Sequence, residues 1–115
     1  MNKSATRYFS SRQEKGVAKS LKGKTVPNSG AIMFGAGDVV LDNWLIECKT
    51  KMQPTNSFTV PLDWLKKNDE ERRQMLRMYS ALAISFDQGD SSYFIVDQRT
   101  FLQMKEALDR QNKED

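Results

Sequence analysis

The sequence predicts an α/β domain, a mixed β-sheet with helices on its faces, in the order α-β-β-β-α-β-β-α. Three observations carry this. Residues 37–51, GDVVLDNWLIECKTK, set two apolar runs, Val39-Val40-Leu41 and Trp44-Leu45-Ile46, on either side of Asp42-Asn43, the pattern of a tight hairpin. The run Ala81-Leu82-Ala83-Ile84-Ser85-Phe86 is almost continuously apolar, as expected of a central strand covered on both faces. Stretches with apolar residues at helical spacing precede, separate and follow these strands. With 115 residues the chain reads as one domain, residues 1–115, with a single modest core. The ends, residues 1–10 and 111–115, read as mobile polar tails.

The first helix is expected over residues 11–21, with Val17, Ala18 and Leu21 as its apolar stripe. Glu14 stands three, four and seven residues before them, which places an acid in the middle of the inward face. Such an acid is costly unless paired or bound to a metal, so Glu14 is a candidate functional residue. Residues 26–30, rich in Pro, Asn, Ser and Gly, form a loop, and Ala31-Ile32-Met33-Phe34 is a short strand or the approach to one. Gly35-Ala36-Gly37 then turns the backbone into Asp38. After the hairpin and a polar loop containing Pro54, Phe58-Thr59-Val60 can add a brief strand. Pro61 suits the first turn of a short helix over residues 62–67. Asn68-Asp69-Glu70-Glu71 has the pattern of a capping box for the next helix, which is expected to bury Met75, Leu76, Met78 and Tyr79. The turn Asp87-Gln88-Gly89-Asp90 leads to a strand over residues 92–96. A last helix over residues 97–110 is expected to bury Phe101, Met104 and Leu108.

Composition removes several chemistries. The chain contains no histidine and one cysteine, Cys48. That excludes Ser-His-Asp and Cys-His hydrolases, HNH-type nuclease chemistry and imidazole-built zinc sites. A lone cysteine forms no internal disulfide, so a reducing, cytoplasmic setting is the expectation. No apolar segment near Met1 suggests a signal peptide, and none suggests a membrane span. Charge is unevenly spread: residues 1–27 hold seven Lys/Arg against the single acid Glu14, while the remainder holds eleven against fourteen acids. A basic arm on a slightly acidic body suits a polyanion approached from one side.

The chemistry concentrates at the open end of the hairpin. With a two-residue turn, Leu41 opposes Trp44, Val40 opposes Leu45, Val39 opposes Ile46 and Asp38 opposes Glu47. Opposed side chains sit roughly 5 Å apart at Cβ, where like charges repel. Alternation puts Lys49 on the face of Glu47 and Cys48 on the other. Two carboxylates pressed together beside an ammonium make sense around a divalent cation, and carboxylate oxygens with water are what Mg²⁺ accepts. The alternative is an exposed sheet end whose charges are simply solvated.

Asp38, nine residues, then Glu47-Cys48-Lys49 matches the signature of PD-(D/E)xK nucleases. With Arg12-Gln13-Glu14-Lys15-Gly16 in the first helix, Asn28-Ser29-Gly30 in the loop and Gly37-Asp38-Val39 at the hairpin, the chain resembles archaeal-type Holliday junction resolvases and their phage-encoded relatives, over about residues 12–108. The resemblance implies a restriction-endonuclease-like fold and a Mg²⁺-dependent, structure-selective DNA endonuclease that makes paired nicks in four-way junctions, with Mn²⁺ as a substitute metal. It also implies a role in DNA recombination and repair, a homodimer, and no membrane partner or organic cofactor. Asp38, Glu47 and the Cys48 carbonyl would hold the metal, Glu14 would complete the site directly or through water, and Lys49 would orient the attacking water. Cys48 departs from the pattern, which commonly has a β-branched residue there. Ser29 and Asn28 would meet the DNA backbone. Arg12, Lys15, Lys19, Lys24 and Lys51 would contact phosphates, which position DNA without reading its sequence. Flaps or duplex ends as substrates, or an inactive nucleic-acid-binding module, are the rival readings.

Overall fold

The computed structural model describes residues 3–26 and 38–114. Its elements are α1 (Lys3–Leu21), β1 (Lys24–Thr25), β2 (Asp38–Leu41), β3 (Trp44–Thr50), α2 (Leu62–Gln74), β4 (Tyr79–Ser85), β5 (Tyr93–Ile95) and α3 (Gln98–Glu114). The order is the one the sequence predicts, and the architecture is α/β: one five-stranded mixed sheet, β1-β2-β3-β4-β5, with helices on its faces. Only the β3–β4 pair is parallel; the other three pairs are antiparallel. Helix α2 makes the crossover between those two parallel strands, as parallel pairing requires.

The hairpin register is the expected one, Leu41↔Trp44, Val40↔Leu45, Val39↔Ile46 and Asp38↔Glu47. Asp42 supplies the left-handed turn residue, with φ of 41°. Tyr79 N–H donates to the Asn43 carbonyl at 2.8 Å, and Arg77 donates from its guanidinium to the Asp42 carbonyl, so the turn is tied to the start of β4.

Alternation along the strands builds two unlike faces. On one, Val39, Ile46, Cys48, Ala81 and Ala83 pack under Val17 and Ala18 of α1, with Leu41, Trp44 and Val96 around them. This is the dry core. Gly23 lets the chain leave α1 close to the sheet, since a Cβ there would lie 2.8 Å from the Val40 carbonyl oxygen. On the other face, beneath α2, lie Leu45, Leu82 and Ile84 together with Asp38, Glu47 and Lys49. Asn68 of α2 donates its amide to the Ala81 carbonyl at 3.0 Å, one residue outside the stretch of β4 that β5 covers.

Several expectations need correction. Helix α1 begins at Lys3 rather than near residue 11, so most of the first ten residues belong to it. Its buried positions are Ser10, Gln13, Val17 and Ala18, while Leu21 is exposed. The inward stripe therefore runs through Gln13, and Glu14 lies at its half-buried edge. The Gln13 amide earns that place by donating to the Ala83 carbonyl at 3.0 Å and the Ser92 hydroxyl at 3.1 Å. Residues 58–60 form no strand, and α2 runs unbroken from Leu62, so Asn68 is a buried mid-helix residue, not a cap. Met75, Leu76 and Met78 are exposed, and Tyr79 opens β4. Phe101, Met104 and Leu108 share one face of α3 but are 58%, 44% and 59% exposed. Strand β1, a two-residue edge pairing with β2, takes the place in the element order expected for residues 31–34, which lie outside the described residues.

Candidate active site

Asp38 opens β2, and Glu47 lies directly across from it on β3. Both are buried, at 8% and 7% exposure. Position follows from the pleat: Val40 and Leu45 alternate with the two acids on the same face, so the sheet that buries the leucine buries the carboxylates too. Lys49, two residues beyond Glu47, sets its ammonium 3.8 Å from Glu47 Oε1, and only 12% of its side chain is exposed. Glu47 Oε2 is buried with no hydrogen-bond partner. A buried carboxylate oxygen left without a donor is costly.

Electrostatics carry the same message. Burial, then the charge of Glu47, then those of Glu71 and Glu14, push the Asp38 carboxyl up to about 7, against a smaller opposing pull from Lys49. Burial also raises Glu47; Lys49 and Lys67 pull it back, and Glu71 adds to the rise. The Cys48 thiol is raised by burial and by Glu14, Asp38 and Glu47, so its sulfur is an inert apolar filler in the core. Near neutral pH the two carboxyls therefore share a site that resists a second negative charge. A divalent cation is the partner that such a site accepts.

The remaining sequence-nominated residues divide. Glu14, on the α1 side, is close enough for its charge to raise both Asp38 and Cys48. Among the described residues, no group of three or more Asp, Glu or Cys side chains is arranged to hold a metal ion. The carboxylates that the structure sets face to face, and that could hold a cation, are Asp38 and Glu47. Arg12 pairs with Asp90 at 2.7 Å. Lys15 and Lys19 are exposed on α1, across the sheet from the acids, whereas Lys24, exposed on β1, pairs with Val40 and so lies on the face of Asp38 and Glu47. Lys51 continues the line of Lys49 and lies over the Phe58 ring, 4.9 Å from its centroid. Ser29 and Asn28 fall outside the described residues.

Helix α2 contributes what the sequence reading missed. Trp64 lies under the Lys49 ammonium, 4.7 Å from ring centroid to Nζ, and Lys67 and Glu71 form an i,i+4 ion pair at 3.8 Å whose charges both reach Glu47. Residues 64, 67, 68 and 71 occupy one helical face. A helix carried on from Leu62 past residue 67, rather than stopped there and restarted at Asn68, would have exposed that pattern. Among known proteins, the chain matches no family model, no curated protein and no solved structure.

Proposed function

We propose that the protein is a metal-dependent endodeoxyribonuclease of the PD-(D/E)xK kind, structure-selective and acting on four-way DNA junctions. The observation that carries this reading is the buried, face-to-face Asp38–Glu47 pair with Lys49 beside it. Asp38, Glu47 and the Cys48 carbonyl would hold Mg²⁺ or Mn²⁺, with Glu14 completing the site directly or through water; a bound ion there would acidify water and neutralise charge on phosphate. The protein's own groups then have separable tasks. Lys49, clamped between Glu47 and Trp64, keeps a cationic N–H donor fixed beside the acids, where it orients the attacking water and stabilises charge developing on a phosphate oxygen. With no histidine in the chain, lysine and carboxylates carry the proton traffic.

Paired nicks in opposed strands call for two sites, and so for a homodimer. The uncovered stripe Phe101, Met104 and Leu108 on α3 offers apolar surface that a second copy can cover. Lys15 and Lys19 supply phosphate contacts on the α1 side, and Lys24 one on the face of the acids. A reducing, cytoplasmic setting suits the single buried thiol, and no helix among the described residues is long and apolar enough to cross a membrane.

The test is cleavage of synthetic four-way junction, flap and linear duplex DNA with Mg²⁺. Symmetric paired nicks in the junction are expected. Asp38→Asn and Lys49→Ala should each lose at least roughly a thousandfold in cutting while still binding junction DNA. Flap preference would reassign the substrate, and undiminished cutting by Asp38→Asn would end the metal-site reading.

A further inference from the structure

Beyond the acids, the same sheet face runs into an aromatic groove that the catalytic constellation does not use. Successive rows across the strands give its position. Glu47 aligns with Leu82 and Ile95, and the next row on that face is Lys49, Ile84 and Tyr93. Rows on one face are separated by about 7 Å along the strands. That is close to the step between neighbouring phosphates in single-stranded nucleic acid.

An open groove of about 650 Å³ lies at this second row, lined by Pro54, Asn56, Ile84, Phe86, Ser91 and Tyr93. Its aromatic wall is ordered: Phe86 meets Phe58 at 5.7 Å and 79°, and Tyr93 at 5.9 Å and 84°. Tyr93 is nevertheless 66% exposed. Beside the groove two ammoniums rest on aromatic rings: Lys49, in the row of Ile84 and Tyr93, on Trp64, and Lys51, two residues further on, on Phe58, whose ring meets Phe86. Asp87 also lines the groove and stays ionised, its pKa lowered by the Ser91 N–H and by the Ser85 and Ser91 hydroxyls that turn its carboxylate into the loop's own hydrogen bonds. Exposed rings with ammoniums alongside are the arrangement that single-stranded nucleic acid selects, since every base has a face to stack and every step a phosphate to pair.

We propose that this groove binds one unpaired nucleotide next to the phosphate held at the acid pair, its base stacked on Tyr93 and its phosphate beside Lys51. The proposal rests on the nuclease reading for what lies next door, and not for the binding itself. It gives a physical basis for preferring branched DNA, where bases can leave the duplex stack, over continuous duplex.

The experiment uses the full chain in EDTA, so that nothing is cut, and a short oligothymidylate carrying one 2-aminopurine as probe. Wild type should bind it and quench the fluorophore. Tyr93→Ala and Tyr93→Leu should bind about tenfold more weakly and lose the quench, Tyr93→Trp should keep both, and Lys51→Ala should weaken binding while reducing its salt dependence. Tyr93 is exposed on an edge strand, so unchanged thermal melts are expected and confirm that the variants fold. Equal affinity and quench in wild type and Tyr93→Ala would overturn the proposal. So would concentration-dependent self-association in sedimentation that Tyr93→Ala abolishes, which would make the groove a protein interface. Parallel junction cleavage with Mg²⁺ separates the two readings. Wild type that binds and quenches but never cuts leaves the groove standing and removes the nuclease. Cutting that every Tyr93 variant retains in full, with unchanged probe binding, does the reverse.

Discussion

The two faces of the sheet make an instructive pair. Both are built from the same strands, and their residues alternate one by one: Val39, Ile46 and Cys48 turn toward α1, while Asp38, Glu47 and Lys49 turn toward α2. The first face is dry, apolar and closed by Val17 and Ala18. The second buries its acids almost as deeply, yet leaves a carboxylate oxygen without a donor and lifts Asp38 to about 7. Pleating thus lets one hairpin supply a packed apolar face and a buried charged one at once. The α2 face carries an electrostatic cost that the α1 face has to offset.

The sharpest way to break this contrast is to neutralise the charged face. An acid whose folded pKa is raised contributes its stabilisation below its unfolded pKa, 3.8, and loses it as pH rises through about 7. Without divalent ions, the protein should therefore melt at progressively lower temperature between about pH 4 and pH 7, by roughly a few kcal/mol in all. Asp38→Asn should flatten that slope and be more stable than wild type at pH 8, while Mn²⁺ should restore wild type at pH 8 and leave the variant unmoved. A metal-free melting temperature that does not fall over this range would count against the buried-acid account. On the α1 face the sign reverses. Ile46→Ala, at a position 1% exposed, should cost about 3 kcal/mol in urea unfolding through the lost contacts and the cavity left behind. The smallest effect lies away from both faces, where Leu76 ends α2 in a left-handed conformation, φ 58°, while 89% exposed. Leu76→Gly should stabilise by about 0.5–1 kcal/mol, because nothing packs on that side chain and glycine adopts the conformation freely.

Legibility followed the same division. Register and face were readable for the hairpin because a two-residue Asx turn and strict alternation admit one pairing, so Asp38, Glu47 and Lys49 fell together as their spacing implies. Strand β4 was readable from its unbroken apolar run. Helix faces were harder, because tertiary hydrogen bonds put polar residues inside. Gln13 displaced the expected stripe of α1 by bonding the Ala83 carbonyl, and Asn68 looked like a cap because nothing local reveals the Ala81 carbonyl that it serves. Trp64 and Glu71 were lost with that false cap. The apolar stripe of α3 was found, but periodicity shows only that a helix has an apolar side, not that this chain covers it. Strand β1 is too short, at two residues, to carry any pattern.

The Asp42 turn has an effect at the far end of the hairpin. Because its carbonyl and that of Asn43 are held by Arg77 and Tyr79, the strands cannot slide past one another. Inserting a single residue there would rotate β3 by half a period relative to β2, exchanging Glu47 for its neighbour on the partner's face. The meeting of Asp38 with Glu47 is thus written as a count of loop residues three pairs away, and a lengthened loop would part the two without altering either acid.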